Sequence, residues 1–265
     1  MCKFLYHYTN LSSLESILKN RTIRFNPLDT MDDLNDGKTQ DFQNVRKYVF
    51  CSSWTSCEDN LVLWSMYAEN MHGVCIKMIQ NPFETYHWKN SHNSENREII
   101  PPGNYCISEE QAIKNDYMIA PQFTNMFLSE VKYSDKNEYL YPCITNWDNN
   151  TKKLNIALNM IGEYKSNKWK DQREWRYRLV CFPVSCENML RKDKDGNGAY
   201  NYMKDGKKLP ISYIDLQISE DAFNSMEIIA GPKMSREERV ILESILEKYG
   251  NGKKIIDSGL PIRRT

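Results

Sequence analysis

The stretch that decides the fold, Trp169 to Phe182, reads Trp-Lys-Asp-Gln-Arg-Glu-Trp-Arg-Tyr-Arg-Leu-Val-Cys-Phe. From Glu174 onward, charged residues alternate with aromatic and apolar ones, which is typical of a β-strand. Because side chains alternate across a strand, one face carries the charged residues Glu174, Arg176 and Arg178. The other face, with Trp175, Tyr177 and Leu179, is suited to packing on a core. The charged face fits a solvated row of exposed ion pairs as well as it fits a functional site.

The composition limits the classes of protein to which the chain can belong. Lys and Arg together number 35, as do Asp and Glu, so general attraction to nucleic acid or to an anionic membrane is not indicated. The composition does not exclude a local basic groove, because net charge averages over the whole surface. The hydrophobic fraction of 40% predicts a folded globule. We expect one domain over residues 1–265, with a divergent insert around 82–153 and a polar excursion around 186–209.

The eight cysteines predict a reduced protein without a disulfide framework. None forms a Cys-x-x-Cys pair, and four of them lie in or beside apolar runs: Cys51, Cys75, Cys181 and Cys186. The sequence shows no signal-peptide pattern and no apolar run long enough to span a bilayer. We therefore expect a cytoplasmic protein with no membrane partner.

Strands of hairpin length interspersed with helices predict an α+β fold with a mostly antiparallel sheet. Capping-box patterns at 12–15 and 235–238 predict two helix starts, and apolar spacing predicts a helix from Thr151 to Lys165. Asp29 to Gly37 reads as a polar surface loop. The predicted strands cover 4–9, 22–25, 48–54, 74–78, 174–182, 211–214, 226–230 and 255–256.

No motif predicts a metal site. Asp193 to Gly198 resembles the opening of a calcium loop, but Lys204 stands where that loop needs a bidentate Glu. His87 and His92 have no cysteine at ligand spacing. Taken alone, His7 and Tyr67 fit ordinary hydrogen bonding and packing better than a binding site, and Ser53 could equally be a strand-end hydroxyl satisfied by the backbone. Each of the three is weak evidence alone.

Several segments together resemble an uncharacterised bacterial family, the domain of unknown function 2971. The resemblance extends over nearly the whole chain, and the family name carries no function. Its segments are residues 5–9, 14–18, 21–25, 64–68, 73–76, 174–176, 228–232 and 258–263.

More remotely, the order of elements is similar to that of the ADP-ribosyltransferase superfamily, whose split, mostly antiparallel sheet clamps NAD. This resemblance implies that a first-strand His holds the adenosine ribose, that a middle Ser or Tyr lies near the nicotinamide, and that a later Glu is catalytic. Arg24 or Arg176 would neutralise the pyrophosphate. By position, the catalytic residue is Glu174 and the NAD-binding residues are His7, Tyr8, Thr9, Arg24, Ser53, Tyr67 and Arg176.

The resemblance implies an NAD-consuming mono-ADP-ribosyltransferase-like enzyme, an intracellular toxin or phage-defence effector acting on a protein or nucleic-acid acceptor. This hypothesis requires His7 and Glu174 to line one cleft. A nuclease-like toxin acting on RNA is a third hypothesis. The main alternative is a non-catalytic nucleotide or phage-component sensor that binds an anionic ligand through Arg24, Arg176, Arg178 and Arg263.

Overall fold

A computed structural model describes residues 3–122, 128–149, 153–190, 192–193 and 196–263. The strands are β1 (Phe4–Thr9), β2 (Thr22–Pro27), β3 (Val49–Thr55), β4 (Val74–Ile79), β5 (Tyr86–Trp88), β6 (His92–Ser94), β7 (Arg97–Ile100), β8 (Gly103–Tyr105), β9 (Met118–Ala120), β10 (Leu128–Glu130), β11 (Lys132–Tyr133), β12 (Thr145–Asp148), β13 (Lys153–Ile156), β14 (Tyr164–Lys165), β15 (Glu174–Phe182), β16 (Lys192–Asp193), β17 (Gly196–Asn197), β18 (Ile214–Gln217), β19 (Glu227–Ala230) and β20 (Ile255–Asp257).

Helices are interspersed among these strands. The α-helices are α1 (Leu11–Asn20), α2 (Leu61–Tyr67), α3 (Glu109–Ala112), α4 (Asn137–Leu140), α5 (Gly198–Lys204), α6 (Glu220–Ser225) and α7 (Arg236–Tyr249). Short 3-10 helices cover Leu28–Thr30, Val45–Tyr48, Glu69–Met71, Leu158–Met160, Asn167–Gln172 and Cys186–Asn188. Within the described residues, no helix has the length and apolar character needed to cross a membrane.

The main sheet runs in the order β10-β15-β3-β1-β4-β19-β20, with β2 joined to β3 and β18, and β9 joined to β15. Neighbouring strands are antiparallel except for the parallel pair β19 and β20. The predicted class, a mostly antiparallel sheet with flanking helices, is therefore confirmed.

The sheet divides between β1 and β3. β1 pairs with β4 along its whole length, and β3 pairs with β15 along its whole length. By contrast, β1 and β3 are paired at one position, Tyr6 opposite Thr55. Backbone groups beyond that position must find other partners, since unpaired buried groups are costly. The division leaves room for a cleft between the two parts of the sheet.

Two apolar clusters hold the sheet in place. The larger contains Leu5, Phe50 and Leu179 together with residues of α1 and α7. The smaller lies under α2 and contains Tyr6, Tyr8, Leu63, Trp64, Cys75 and Ile229. Because alternate β1 residues enter different clusters, the strand is buried on both faces.

In the described residues, side-chain caps begin five of the α-helices: α1, α2, α3, α6 and α7. Asn60 accepts from the amides of Val62 and Leu63 and starts α2. The predicted capping box of Ser235 and Glu238 is present at α7. The predicted box at Ser12 is wrong, because Asn10 accepts from the amide of Ser13 and α1 begins at Leu11.

The helix predicted from Thr151 to Lys165 is wrong where the chain is described. Residues 153–165 form β13, a 3-10 helix and β14, and residues 151–152 lie outside the described part. Leu154, Ile156 and Leu158 also fit the two-residue period of a strand. Gly162 has a φ of +71°, which a continuing helix does not accommodate.

Other differences are local. A 3-10 helix at Val45–Tyr48 leads into β3, which begins at Val49 where a strand from 48 was predicted. The segment from 90 to 104 contains β6, β7 and the start of β8, and β18 begins at Ile214 where a strand from 211 was predicted. Residues 194 and 195 of the calcium-like segment lie outside the described residues.

Candidate functional site

A cleft with a volume of about 230 Å³ opens where the sheet divides. Residues of β1, β2 and β3 form part of its wall, together with residues of α2, β14, the 3-10 helix Asn167–Gln172 and the first residue of β15. The loop after β2 adds Met31 and two acidic side chains, Asp32 and Asp33. The cleft brings together six residues predicted for the site: His7, Tyr8, Arg24, Ser53, Tyr67 and Glu174. Four more side chains of the lining matter for its chemistry: Trp54, Lys165, Trp169 and Gln172.

His7 is held on β1 by the neighbouring strand. Its Nδ1 lies 2.9 Å from the carbonyl oxygen of Ser53, and its ring centroid lies 5.1 Å from that of Trp54. Burial lowers the pKa of His7, and the hydrogen bond to Ser53 opposes that shift. A neutral ring that donates from Nδ1 keeps its lone pair on Nε2. His7 can therefore accept a hydrogen bond from a ligand hydroxyl.

Tyr67 is tied to the turn that precedes β15. Gln172 donates from Nε2 to the Tyr67 hydroxyl at 2.8 Å, and Thr55 donates from Oγ1 to the Gln172 carbonyl at 2.6 Å. Burial raises the pKa of Tyr67, and the charges of Asp32 and Glu174 add to the shift. Tyr67 is therefore a neutral phenol whose ring forms part of the cleft wall.

Four charged side chains form a buried cluster beside the cleft, the charged tetrad: Asp36, Lys165, Glu174 and Arg176. Arg176 donates from Nη1 and Nη2 to the two oxygens of Asp36, and from Nε to Glu174 Oε1 at 2.6 Å. Lys165 Nζ donates to Glu174 Oε2 at 2.6 Å. None of the four side chains is more than 7% exposed. The two positive and two negative charges balance, which is what allows the cluster to be buried.

Glu174 is ionised in this environment. Burial alone would raise the pKa of Glu174, but the charges of Arg176 and Lys165 outweigh it and lower the pKa to about 2. A group with so low a pKa is a weak general base. As an anion it can stabilise developing positive charge and accept a hydrogen bond from a ribose hydroxyl.

Arg176 is not where a pyrophosphate-binding residue must be. Its side chain is 1% exposed and lies outside the cleft lining. Its remaining donors also bond to protein, from Nη1 to the Gly162 carbonyl at 3.0 Å and from Nη2 to Glu174 Oε2 at 3.2 Å. All five guanidinium N–H groups thus have acceptors in the protein, and none is left to bind a pyrophosphate in this geometry.

Glu174, Arg176 and Arg178 share one face of β15, as predicted, but that face is covered by protein and not by solvent. The loop containing Asp36 and the segment around Gly162 cover it. Arg178 donates to the carbonyls of Asn159 and Ile161, so it too is used within the protein. The interpretation as a row of exposed ion pairs is therefore wrong. In this structure Arg176 and Arg178, which the sensor hypothesis assigns to an anionic ligand, bond to protein groups.

Three other residues predicted for the site, Tyr8, Thr9 and Arg24, differ in whether they can contact a ligand in the cleft. The Tyr8 hydroxyl lies 2.6 Å from the Glu58 carbonyl and accepts from the Asn60 amide at 3.0 Å, so it holds the loop before α2. Thr9 lies outside the cleft lining, at the end of β1. Arg24 lines the cleft but is paired with Asp215 through two 2.9 Å hydrogen bonds. Arg263, of the alternative hypothesis, is exposed near the C-terminus and does not line the cleft.

Sequence reasoning missed Asp36, Lys165 and Gln172. Asp36 belongs to a stretch that resembles any polar loop, and Lys165 ended the helix that is not formed. The nearest signal was the charged face of β15, since two arginines beside one carboxylate need further acidic partners if they are buried. Within the described residues, no group of three His, Cys, Asp or Glu side chains is arranged to hold a metal ion.

The fold and the cleft define a mixed α/β protein with a ligand-sized hollow at the break in its antiparallel sheet. Residues 63–177 match the family model described as Protein of unknown function (DUF2971), and the chain's resemblance to that family is therefore confirmed. The matched segment contains Tyr67 and the tetrad members Lys165, Glu174 and Arg176. It is shorter than the nearly chain-long resemblance expected from the sequence, and it includes the insert at 82–153. No curated protein and no solved structure matches the chain.

Proposed function

We propose that the protein is an NAD-consuming, mono-ADP-ribosyltransferase-like enzyme that binds the dinucleotide in the cleft. The observation that carries the proposal is the presence of His7 and Glu174 in one lining, from strands on either side of the division in the sheet. Ser53 on β3 and Tyr67 on α2 stand between them in chain order and line the same cleft. This arrangement agrees with the order of functional residues in the ADP-ribosyltransferase superfamily.

The chemistry of the lining suits the parts of NAD. Nε2 of neutral His7 accepts from a ribose hydroxyl. The rings of Trp54, Tyr67 and Trp169 provide surfaces on which nicotinamide can stack. Glu174 provides an anion for the positively charged transition state.

In the proposed reaction, the bond between nicotinamide N1 and ribose C1′ breaks, and nicotinamide leaves as a neutral molecule with the bonding electron pair. The acceptor nucleophile, or water, forms a new bond to C1′ and loses a proton. Because the pKa of Glu174 is about 2, we assign this residue electrostatic stabilisation and ribose orientation. The proton passes to solvent or to the acceptor's own surroundings.

The test combines calorimetry with NAD and chromatographic detection of free nicotinamide, with and without protein and nucleic-acid acceptors. Glu174→Gln is expected to retain NAD binding and to lose turnover by roughly 100-fold or more. Glu163→Gln is the matched control, because Glu163 pairs with Lys132 outside the cleft. A wild-type chain that neither binds nor consumes NAD would end the proposal.

One observation favours the alternative of a non-catalytic nucleotide sensor. Both Glu174 oxygens already accept hydrogen bonds from Arg176 or Lys165, so the resting carboxylate is neutralised. A sensor would bind NAD or a related nucleotide without releasing nicotinamide. Its ligand affinity would also be indifferent to Glu174→Gln.

A further inference from the structure

The charged tetrad has a fixed half and a half that contacts the cleft. Arg176 and Asp36 do not line the cleft and hold each other through two parallel hydrogen bonds. Lys165 and Glu174 both line it. A ligand in the cleft can therefore compete for the lysine–glutamate pair and leave the arginine–aspartate pair in place.

Lys165 has unused hydrogen-bonding capacity. Its ammonium group carries three N–H donors. Two acceptors lie within reach, Glu174 Oε2 at 2.6 Å and Gln172 Oε1 at 3.2 Å, whereas Asp36 Oδ2 is 3.8 Å away. Among the described residues, the third N–H thus has no acceptor at hydrogen-bond distance. A ligand oxygen in the cleft can supply one.

The two arginines nearest to the cleft, Arg24 and Arg176, are already paired with carboxylates of the protein. Arg24 donates to both oxygens of Asp215, and its guanidinium carbon lies 3.6 Å from the Tyr213 ring centroid. Arg176 has acceptors for all its donors and lies outside the lining. Among the basic side chains described in the lining, Lys165 is the one placed to bind an anion beside Glu174.

We infer that Lys165 binds an anionic phosphate oxygen of the ligand through its third N–H and, in doing so, weakens its ion pair with Glu174 Oε2, which keeps its hydrogen bond from Arg176 Nη2 and gains capacity to accept from the ribose. The inference rests on the proposed function and adds a residue to it. With Lys165 neutralised by the ligand, the remaining Asp36, Glu174 and Arg176 carry a net charge of −1. When a phosphate-bearing ligand is bound, the Glu174 carboxylate therefore attracts positive charge on the ribose more strongly than it does in the empty cleft. Arg176 keeps it in position.

The experiment measures calorimetric affinities of the full chain for ADP-ribose, inorganic pyrophosphate and nicotinamide riboside, which has no phosphate. Lys165→Met is expected to weaken ADP-ribose and pyrophosphate binding by roughly 10- to 100-fold, the usual effect of losing a charge-assisted hydrogen bond. Affinity for nicotinamide riboside should stay within about twofold or rise, because Glu174 attracts its positive ring. Lys168→Met, an exposed lysine outside the lining, is the control.

A measurement on the wild-type chain avoids dependence on the variant's folding. ADP-ribose should slow reductive methylation of Lys165, followed by peptide mass spectrometry, and nicotinamide riboside should not. Unchanged ADP-ribose affinity in folded Lys165→Met overturns the inference, as does a wild-type chain that binds neither phosphate compound. If NAD is consumed equally by wild type and Lys165→Met, the enzyme proposal stands and the inference fails. If phosphate compounds bind through Lys165 but NAD is not consumed, the inference stands and the enzyme proposal fails.

Discussion

The Nδ1 atom of His7 lies 2.9 Å from the carbonyl oxygen of Ser53, and this contact decides which ring nitrogen carries the proton. A carbonyl oxygen only accepts hydrogen bonds, so neutral His7 donates to it and presents Nε2 as an acceptor. Two strands that share a single paired position are thereby joined by a side chain where their backbones separate.

Replacing His7 by Phe should weaken NAD binding by roughly 2- to 12-fold, the loss expected for one neutral hydrogen bond. The aromatic ring can still pack beside Trp54. Calorimetry with NAD measures the change, and His87→Phe on the exposed part of β5 is the control. Equal affinities of wild type and His7→Phe would show that the ring does not contact the ligand.

The affinity for NAD should be constant from pH 8 down to about 6.5 and fall only below that value. Burial lowers the pKa of His7 below its ordinary 6.5, so the acceptor form persists until protonation begins in more acidic solution. Calorimetry at half-unit pH intervals tests this, and His7→Phe should lack the decline. A loss of affinity already present between pH 8 and 7 would contradict it.

Replacing Arg176 by Met should lower the free energy of unfolding by about 3–5 kcal/mol, because Asp36 is left charged, buried and without its main partner. The double variant Asp36→Leu with Arg176→Met should lose less than the sum of the single variants. Denaturant titration measures all three. Arg24→Met, which breaks an exposed pair with Asp215, should cost about 1 kcal/mol or less. Additive losses would indicate that Arg176 and Asp36 are not coupled.

Acid should destabilise the protein through Glu174. Its pKa falls from 4.5 to about 2 on folding, so its ion pairs stabilise the fold fully above pH 4.5. That contribution is lost as the pH drops from 4.5 towards 2. Denaturant titrations at pH 5, 4 and 3 should show a smaller decline for Glu174→Gln than for wild type. Parallel declines would assign the acid sensitivity to other carboxylates.

Replacing Gly73 by Ala should destabilise the fold by about 1–3 kcal/mol. A β-carbon there would lie 2.3 Å from the Thr9 carbonyl oxygen, so β1 and the turn before β4 would have to separate. Gly259→Ala is the matched control, because its nearest contact would be 3.4 Å away. Thermal unfolding compares the two, and equal melting temperatures would show that the turn adjusts without cost.

Local patterns were sufficient to predict β1, most of β3, β4 and β15. Each combines strand-forming residues with clear flanking turns, so nearby sequence determines its conformation. The meeting of His7 and Glu174 was predicted from the resemblance and not from spacing. It could not follow from spacing, because pairing between distant strands depends on the whole sheet.

The charged tetrad could not be predicted from the sequence because it forms only through tertiary contacts. Asp36 becomes buried because a loop folds back over β15, and nothing in the acidic run around it separates Asp36 from its exposed neighbours. Lys165 was placed on a helix because the apolar residues before it fit both helical and strand periods. An ion cluster made of side chains from three separate segments has no local signature.

The division of the sheet also determines when the cleft comes into existence. β1 supplies the wall with His7 at the start of the chain, whereas β15 supplies Glu174 and pairs with β3 along its length. A nascent chain that has emerged only as far as α2 therefore contains His7 and Tyr67 but no complete wall. Ligand binding that needs both His7 and Glu174 therefore requires a chain synthesised beyond β15.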